Sequence, residues 1–521
     1  MTFDHIIVGA GAAGCVLAAR LSADGDRQVL LLEAGPDFPT VDQLPPEVHR
    51  AYGYPGIWGQ AFGYSTRFGW GYRARATDTN RDIFIPRGRI VGGSSAINAQ
   101  IFLRALPEDY DNWAAAGNGE WAYEKVLNCL KRIEADADFD DDFHGTEGPI
   151  PVRRFPLQEC GGEHLAFYHA LRDRGMPDCP DHNDPDSTGV GPLPMNNADG
   201  VRWSAALGYL TPETRARPNL RIRSACAVGR VVIEQGRAVA VEILGESGSE
   251  RVSGGEIIAS AGAIASPHLL LRSGIGPAQE LREFGLPVHA DLPGVGRNLR
   301  CHPQCGLTVQ VKPQYLNTGD EPPIQIGCRY TATGSALRND MFLHPGSCAT
   351  RNGFYDAADT AMVGFFLVAA IYLAEGAGHM KLRSPDPGER PLLDYNFLAE
   401  RSDLDRMREG VRIHLELLEH DEYREIAVGP LNMNAADAES DAALDRWIRG
   451  AVETSHHVSG TCKMGPDSDA MAVVDQLGKV KGIDGLRVAD AAIMHDCIRA
   501  NTNLTTMMIG ERVAEFIAGG C

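Results

Sequence analysis

Near the start of the chain, the residues best suited to do chemistry are Gly9, Gly11 and Gly14 of the run Gly9-Ala10-Gly11-Ala12-Ala13-Gly14, with the acid Glu33 beyond them. Each glycine has a steric task in holding a pyrophosphate. Gly9 permits a tight turn, Gly11 lets the backbone approach the phosphates, and Gly14 lets a helix pack against a strand. Glu33 lies 19 residues after Gly14, about where a carboxylate meets a ribose hydroxyl in a dinucleotide site. Such residues need elements to hold them. Ile6, Ile7 and Val8 form a short apolar run that fits a buried parallel strand. Val16, Leu17, Ala18 and Ala19 continue past the glycines as a helix whose unpaired N-terminal amides face the phosphates. A second strand, Gln28 to Leu32, ends at Glu33. Together these predict a dinucleotide-binding unit without distinguishing NAD from FAD.

At 521 residues the chain is long enough for two or three domains. Its apolar fraction of 44% and charged fraction of 23% are those of a soluble globular protein. The net charge of -20 argues against nucleic acid or an anionic membrane as partners, because the field repels both. The same charge serves solubility and does not call for a cationic substrate. The 12 cysteines are scattered without a C-x-x-C pair, and no histidine cluster completes a zinc site around Cys301 and Cys305. No metal is therefore expected. Scattered thiols in a long chain fit a reducing compartment. There is no basic N-terminal segment, glycines interrupt the apolar stretch from His5 to Leu21, and no run of about 18 apolar residues occurs. The expectation is a cytoplasmic protein with no membrane span.

Later segments carry a second signal. Pro86 to Asn98 reads PRGRIVGGSSAIN and Gly262 to Gly276 reads GAIASPHLLLRSGIG. HVSGTCKMG follows from His457, GLRVADA from Gly485, and NTNLTTMMIGERVAEF from Asn501. In this order they resemble the glucose–methanol–choline oxidoreductase family, which is FAD-dependent, and the likeness covers essentially the whole chain. It implies an α/β architecture: a Rossmann-like FAD-binding domain plus a substrate domain with an antiparallel sheet flanked by helices. The FAD-binding domain is expected in three pieces, residues 1–155, 202–302 and 453–521, with the substrate domain in 156–201 and 303–452.

Gly92, Gly93, Ser94 and Ser95 form a small-residue turn whose amides and hydroxyls can face phosphate or flavin oxygens; a plain surface turn is the other reading. The resemblance implies that Val91 to Ser94 line the path of the flavin, with Asn98 and Ala99 close by. It adds Ala12, Ala13 and Ala34 to the glycines and Glu33 around the nucleotide. Arg89 is either a phosphate neighbour or a solvated charge. Val228 stands in a β-ribbon, Arg223 to Leu244, where the family holds adenine through main-chain groups; as a plain core valine it would read the same. Asp490-Ala491 corresponds to the pair that approaches the ribityl–pyrophosphate region. Asn503, Leu504 and Thr505 open the last helix, whose dipole would favour negative charge on the pyrimidine edge of the flavin. Ser266-Pro267 looks like a helix start with proline in the first turn.

Hydride leaves an alcohol carbon easily when the hydroxyl proton is removed or strongly hydrogen-bonded. That task wants a base titrating near the working pH, histidine first. The resemblance places this base in an H-x-x-G-T segment and a second residue, His or Asn, just before the last helix. Counting back four residues from Thr461 gives His457 as the base, leaving His456 as a substrate-pocket wall or a structural histidine. Counting back from Gly510-Glu511-Arg512 gives Asn501. As an amide it can donate and accept at the substrate oxygen but cannot serve as a base. His302 sits in a family loop where Cys301 replaces the usual acid, so neither it nor His495 is given a role. Some members link FAD through a histidine two residues after the serine pair; Ile97 stands there, which implies non-covalent FAD. The expected reaction is oxidation of a primary alcohol to an aldehyde, with oxygen or another electron acceptor restoring the flavin. A non-redox cyanohydrin lyase and a fatty-acid photodecarboxylase are the alternatives on the same fold.

Gly378 to Ser384 and Pro391 to Tyr395 read as strands of the substrate domain's sheet. Leu404, Met407, Val411 and Leu415 give Asp403 to Leu418 helical spacing. The acidic run Glu134 to Asp142 reads as a solvated loop. Phe365, Phe366 and Tyr372 could line an aromatic pocket, with core packing the plainer reading.

Overall fold

The structure, a computed structural model, describes residues 2–50, 67–79, 82–245, 248–317, 322–351 and 361–520. The first strand, Phe3–Val8, pairs in parallel with Val29–Leu32 on one side and with Gly248–Ala259 on the other. Leu220–Arg223 extends the sheet beyond Val29–Leu32, and Leu486–Val488 adds a further parallel strand beside Gly248–Ala259. Arg237–Gly245 and Val228–Glu234 complete a seven-stranded sheet as an antiparallel ribbon. Val29–Leu32 is buried along its whole length, as expected of an unbroken apolar run in a parallel strand covered on both faces. The first helix, Ala12–Leu21, packs against the last, Thr502–Ala518, so the C-terminal segment returns to the N-terminal nucleotide loop.

A second seven-stranded sheet is antiparallel throughout. Its order is Ala427–Pro430, Pro303–Val311, Met362–Ile371, Met341–Thr350, Ile326–Tyr330, Gly189–Pro192, with Glu453–Thr454 also paired to Pro303–Val311. The helix Arg401–Leu417 lies on it and buries Leu404, Met407 and Val411, as their spacing predicted. Phe365 and Phe366 are buried within the central strand.

Three local expectations are corrected. The strands His379–Lys381 and Leu392–Asp394 belong to a separate four-stranded sheet with Tyr72–Arg75 and Asp82–Ile85, where the Arg75–Asp394 ion pair fixes the junction. The acidic run is solvated only in part. Glu134–Asp136 is a strand paired with Ile150–Val152, and Glu134 and Asp136 are buried because Arg104 and Arg154 bring counter-charges to them. The helix predicted to open at Ser266-Pro267 begins at Gly262, which puts Pro267 in its interior. No disulfide joins any two of the eleven described cysteines. No helix among the described residues is long and apolar enough to cross a membrane.

Candidate active site

A cavity of about 630 Å³ takes its walls from both large sheets, Val8 and Leu32 from the first and Gln304, Phe342 and Ala370 from the second. In the half lined by the glycine loop the backbone does the shaping. A Cβ on Gly14 would lie 1.9 Å from the Gly9 carbonyl oxygen, so only glycine lets the helix start this close to the strand. A Cβ on Gly93 would lie 2.7 Å from the Gly11 Cα, which brings the second small-residue loop against the first. On Gly11 itself a Cβ would meet nothing nearer than the Ser260 carbonyl oxygen at 3.9 Å, so that surface is open. The Glu33 carboxylate accepts from the amides of Ala10 at 3.0 Å and Gly35 at 2.8 Å, and burial pushes its pKa up to about 7. Each oxygen keeps capacity for a further donor such as a ribose hydroxyl.

Asp490 explains why the central helix begins where it does. Its carboxylate accepts from the Gly262 amide at 2.7 Å, the Ser266 hydroxyl at 2.6 Å and the Ala492 amide at 2.7 Å. The cap for Gly262–Arg272 therefore comes from a residue far away in sequence. Pro267 has no amide to offer the carbonyl of Ala263 one turn earlier. The Thr461 hydroxyl donates to that carbonyl instead, at 2.6 Å. The threonine of the H-x-x-G-T segment thus satisfies a helix defect.

The same segment is aimed by strand pairing. Pro303 faces Thr454 and Arg300 faces Ser459 in antiparallel register. Between those pairs the two residues Cys301 and His302 oppose the four residues Ser455 to Val458, so the second strand bulges and carries the histidine pair into the cavity. His456 takes the left-handed backbone region, with φ at 68°, and its carbonyl accepts from the Arg87 guanidinium. The His457 ring turns to the cavity. Its Nε2 lies 3.0 Å from Asn501 Nδ2 and its Nδ1 lies 2.9 Å from His302 Nδ1. Burial, then the neighbouring His302, His456, Arg87 and His344, hold the pKa of His457 well below the usual imidazole value. His456 is pushed down to about 3 by burial and Arg87.

Asn501 is the cap residue of the last helix, and its side chain does not bond that helix's amides. Its Oδ1, like Asn503 Nδ2, is buried without a hydrogen-bond partner. Both asparagines line the cavity, so unsatisfied polar atoms face it and call for a polar ligand. The FAD implied by the sequence resemblance fits this donor set. The amides around Gly11 to Ala13 suit a pyrophosphate, Glu33 a ribose, and the N-terminus of Thr502–Ala518 the electron-rich edge of a flavin.

Gly9, Gly11, Ala12, Ala13, Glu33, Ala34, Arg89, Gly93, Ser94, Asn98, Ala99, Val228, Asp490, Ala491, His456, His457, Asn501 and Asn503 share this one cavity. Gly14, Val91, Leu504 and Thr505 are not on its surface. Gly14 sits at the helix–strand contact, and the Val91 amide donates to the Pro36 carbonyl. Leu504 is fully buried, and the Thr505 hydroxyl is bonded to Tyr110. His495 lies outside the cavity, with Nδ1 3.1 Å from the Met464 carbonyl oxygen. Sequence reasoning passed over His302, and it undervalued Tyr372, which stacks on the His302 ring at 4.5 Å. The available signal was the apolar strand that delivers Tyr372 from its end and the family loop that carries His302.

Sequence profiles of GMC oxidoreductases match residues 3–304 and 374–510. The chain is 35% identical over 536 residues to the 5-(hydroxymethyl)furfural oxidase of a Methylovorus species, covering 99% of this chain and 98% of that one. It is 35% identical over 553 residues to the oxygen-dependent choline dehydrogenase of Rhizobium etli, covering 100% and 96%. Among solved structures, pyridoxine 4-oxidase from Mesorbium loti superposes with a TM-score of 0.90 at 30% identity, covering 99% of both chains. Formate oxidase, at 22% identity and a TM-score of 0.87, shares the fold.

Proposed function

Because the chain belongs to the GMC oxidoreductase family, a family of FAD-dependent enzymes acting on CH–OH groups, we propose that it oxidises a primary alcohol to an aldehyde with His457 as the base and Asn501 as the second grip on the substrate oxygen. The observation that carries this reading is the 3.0 Å approach of His457 Nε2 and Asn501 Nδ2 on the cavity wall. FAD, when bound, supplies the acceptor for the hydride. The alcohol hydroxyl donates to His457 Nε2, and Asn501 Nδ2 donates to the same oxygen, replacing the direct contact between the two side chains. His457 is neutral at working pH because burial, with the Arg87 guanidinium nearby, disfavours its charged form. A proton on Nε2 is then tolerable chiefly beside the negative charge growing on the substrate oxygen. That couples proton removal to cleavage of the C–H bond.

The predicted cofactor residues that line the cavity form the cofactor cradle, with Ile97 offering no nucleophile for a covalent link, so FAD is held non-covalently. Acid precipitation should leave the flavin in the supernatant, and a yellow pellet would refute this. The three-part FAD domain and two-part substrate domain given above remain the proposed division. The scattered cysteines, without a C-x-x-C pair, support a cytoplasmic location.

Among the described residues, the side chains in contact with the base, His302, Tyr372 and Asn501, include no carboxylate. This favours a neutral, ring-bearing alcohol over a cationic one, in keeping with the furfural and pyridoxine oxidases among the relatives. The experiment is anaerobic mixing of the yellow protein with hydroxymethylfurfural, benzyl alcohol, pyridoxine and choline while the visible flavin band is followed. Bleaching by the aromatic alcohols is expected. Product without bleaching would overturn the redox reading in favour of a lyase. Readmitting air and assaying peroxide separates oxygen from another acceptor. His457→Ala should slow bleaching by about 10³-fold with FAD retained, and an unchanged rate would end the base assignment.

A further inference from the structure

His302 is fully buried at the start of Pro303–Val311, and its ring is the end member of a stacked column. Tyr372 lies 4.5 Å from it at 22°, and Phe342 lies 4.8 Å beyond Tyr372 at 18°. The column meets the edge of His457, ring to ring at 67°. One contact joins them, Nδ1 to Nδ1 at 2.9 Å.

Two nitrogens this close need one proton between them, and the other side of His457 decides who owns it. Asn501 presents Nδ2, a donor, to His457 Nε2. His457 Nε2 is therefore an acceptor without a proton, and the neutral ring carries its proton on Nδ1. That proton points at His302 Nδ1, which must be bare. His302 then carries its own proton on Nε2. This nitrogen makes no well-formed hydrogen bond among the described residues, but the Ile498 and Tyr372 carbonyls lie close enough to favour a proton on the ring.

We infer that His302 is a positioning residue for the reaction: its Nδ1 accepts the Nδ1 proton of His457 and so fixes the lone pair of His457 Nε2 toward the alcohol. The inference rests on the reading of His457 as the base. The opposite tautomer would place a proton on Nε2 and leave no lone pair for the substrate. The groups that face His457 give a charged imidazole little other support. They are His344 from Met341–Thr350, Arg87 from the loop after Asp82–Ile85, His456 beside it, and the edge of Tyr372 at the end of Met362–Ile371. Burial pushes His302 itself down to about 3, so at working pH it is neutral and its Nδ1 can accept.

The test compares His302→Phe, which keeps a stacking ring without the acceptor, with His302→Asn, whose carbonyl can still accept. In anaerobic stopped-flow with a bleaching alcohol, His302→Phe should reduce the limiting rate by about 10- to 100-fold at unchanged half-saturation and FAD content. His302→Asn should recover most of that loss. A wild-type rate in His302→Phe would overturn the inference. Nitrogen NMR of histidine-labelled wild-type holoprotein tests it without any variant: His457 protonated on Nδ1 and His302 on Nε2 is expected, and His457 protonated on Nε2 would overturn it. His457→Ala run in parallel separates the two readings. If that variant reduces its flavin normally, the base assignment falls and this inference with it. If it is impaired while His302→Phe is not, only the positioning role falls.

Discussion

Around the glycine-loop half of the cavity, Gly9, Gly11 and Gly14 come from one short stretch of chain and act through backbone geometry, with the Glu33 carboxylate at the end of the next strand. Around His457 the contacts come from His302, 155 residues away, and Asn501, 44 residues away, and they act through side chains. The first region is shaped by what is missing, namely the Cβ atoms that would collide at Gly14 and Gly93. The second is shaped by what is aimed, through a bulge in one strand and a cap at one helix. Steric exclusion is local and leaves a fixed spacing in the sequence. Aiming is a property of paired strands, and the spacing between the partners is arbitrary.

The comparison can be broken at several points. Gly14→Val should have the largest effect, because its Cβ would stand 1.9 Å from the Gly9 oxygen. The purified variant is expected to be colourless and to take up no added FAD, as read from its visible spectrum. A yellow protein with full flavin would show that the close approach can relax. Asn501→Ala leaves FAD in place and removes one donor from the substrate oxygen. Anaerobic reduction should slow by about 100-fold, and a change confined to half-saturation would mean that Asn501 only binds the alcohol.

Thr461→Val connects the two regions. It strips the Ala263 carbonyl of its partner inside the helix interrupted by Pro267. A stability loss of about 1–3 kcal/mol is expected from a buried acceptor left unmade, measured by denaturant unfolding of the holoprotein. Unaltered unfolding would show that another donor reaches that carbonyl. The smallest effect concerns Glu33. Its pKa in the protein is raised to about 7 from 4.5. A ribose hydroxyl binds the ionised form better, so FAD binding should release a proton. Affinity should therefore rise a little as pH climbs toward about 7 and then level off. Titrating apoprotein with FAD at several pH values checks the slope, and Glu33→Gln should flatten it.

The errors in reading the sequence have one physical origin. Glu134 and Asp136 look like part of a solvated acidic run until Arg104 and Arg154 arrive from elsewhere to bury them. Pro267 looks like a helix start because proline is usual there, yet Asp490 caps the helix at Gly262 and Thr461 repairs the lost bond. His302 looks idle beside Cys301, and only its partner strand reveals that it faces His457. In each case a distant side chain changes what a local pattern means.

The sequence by itself determined the glycine loop that opens the first helix, the acid that ends the second strand, the family to which the chain belongs, and the identity of the histidine–asparagine pair. These depend on residue type at fixed short spacing, which strand and helix geometry converts directly into position. Only the tertiary structure decided which nitrogen of His457 faces the cavity, which ring stands behind it, and how the helix Gly262–Arg272 is capped. Those outcomes depend on sheet register and on a two-residue bulge, and a shift of one residue in either would turn a different set of side chains inward.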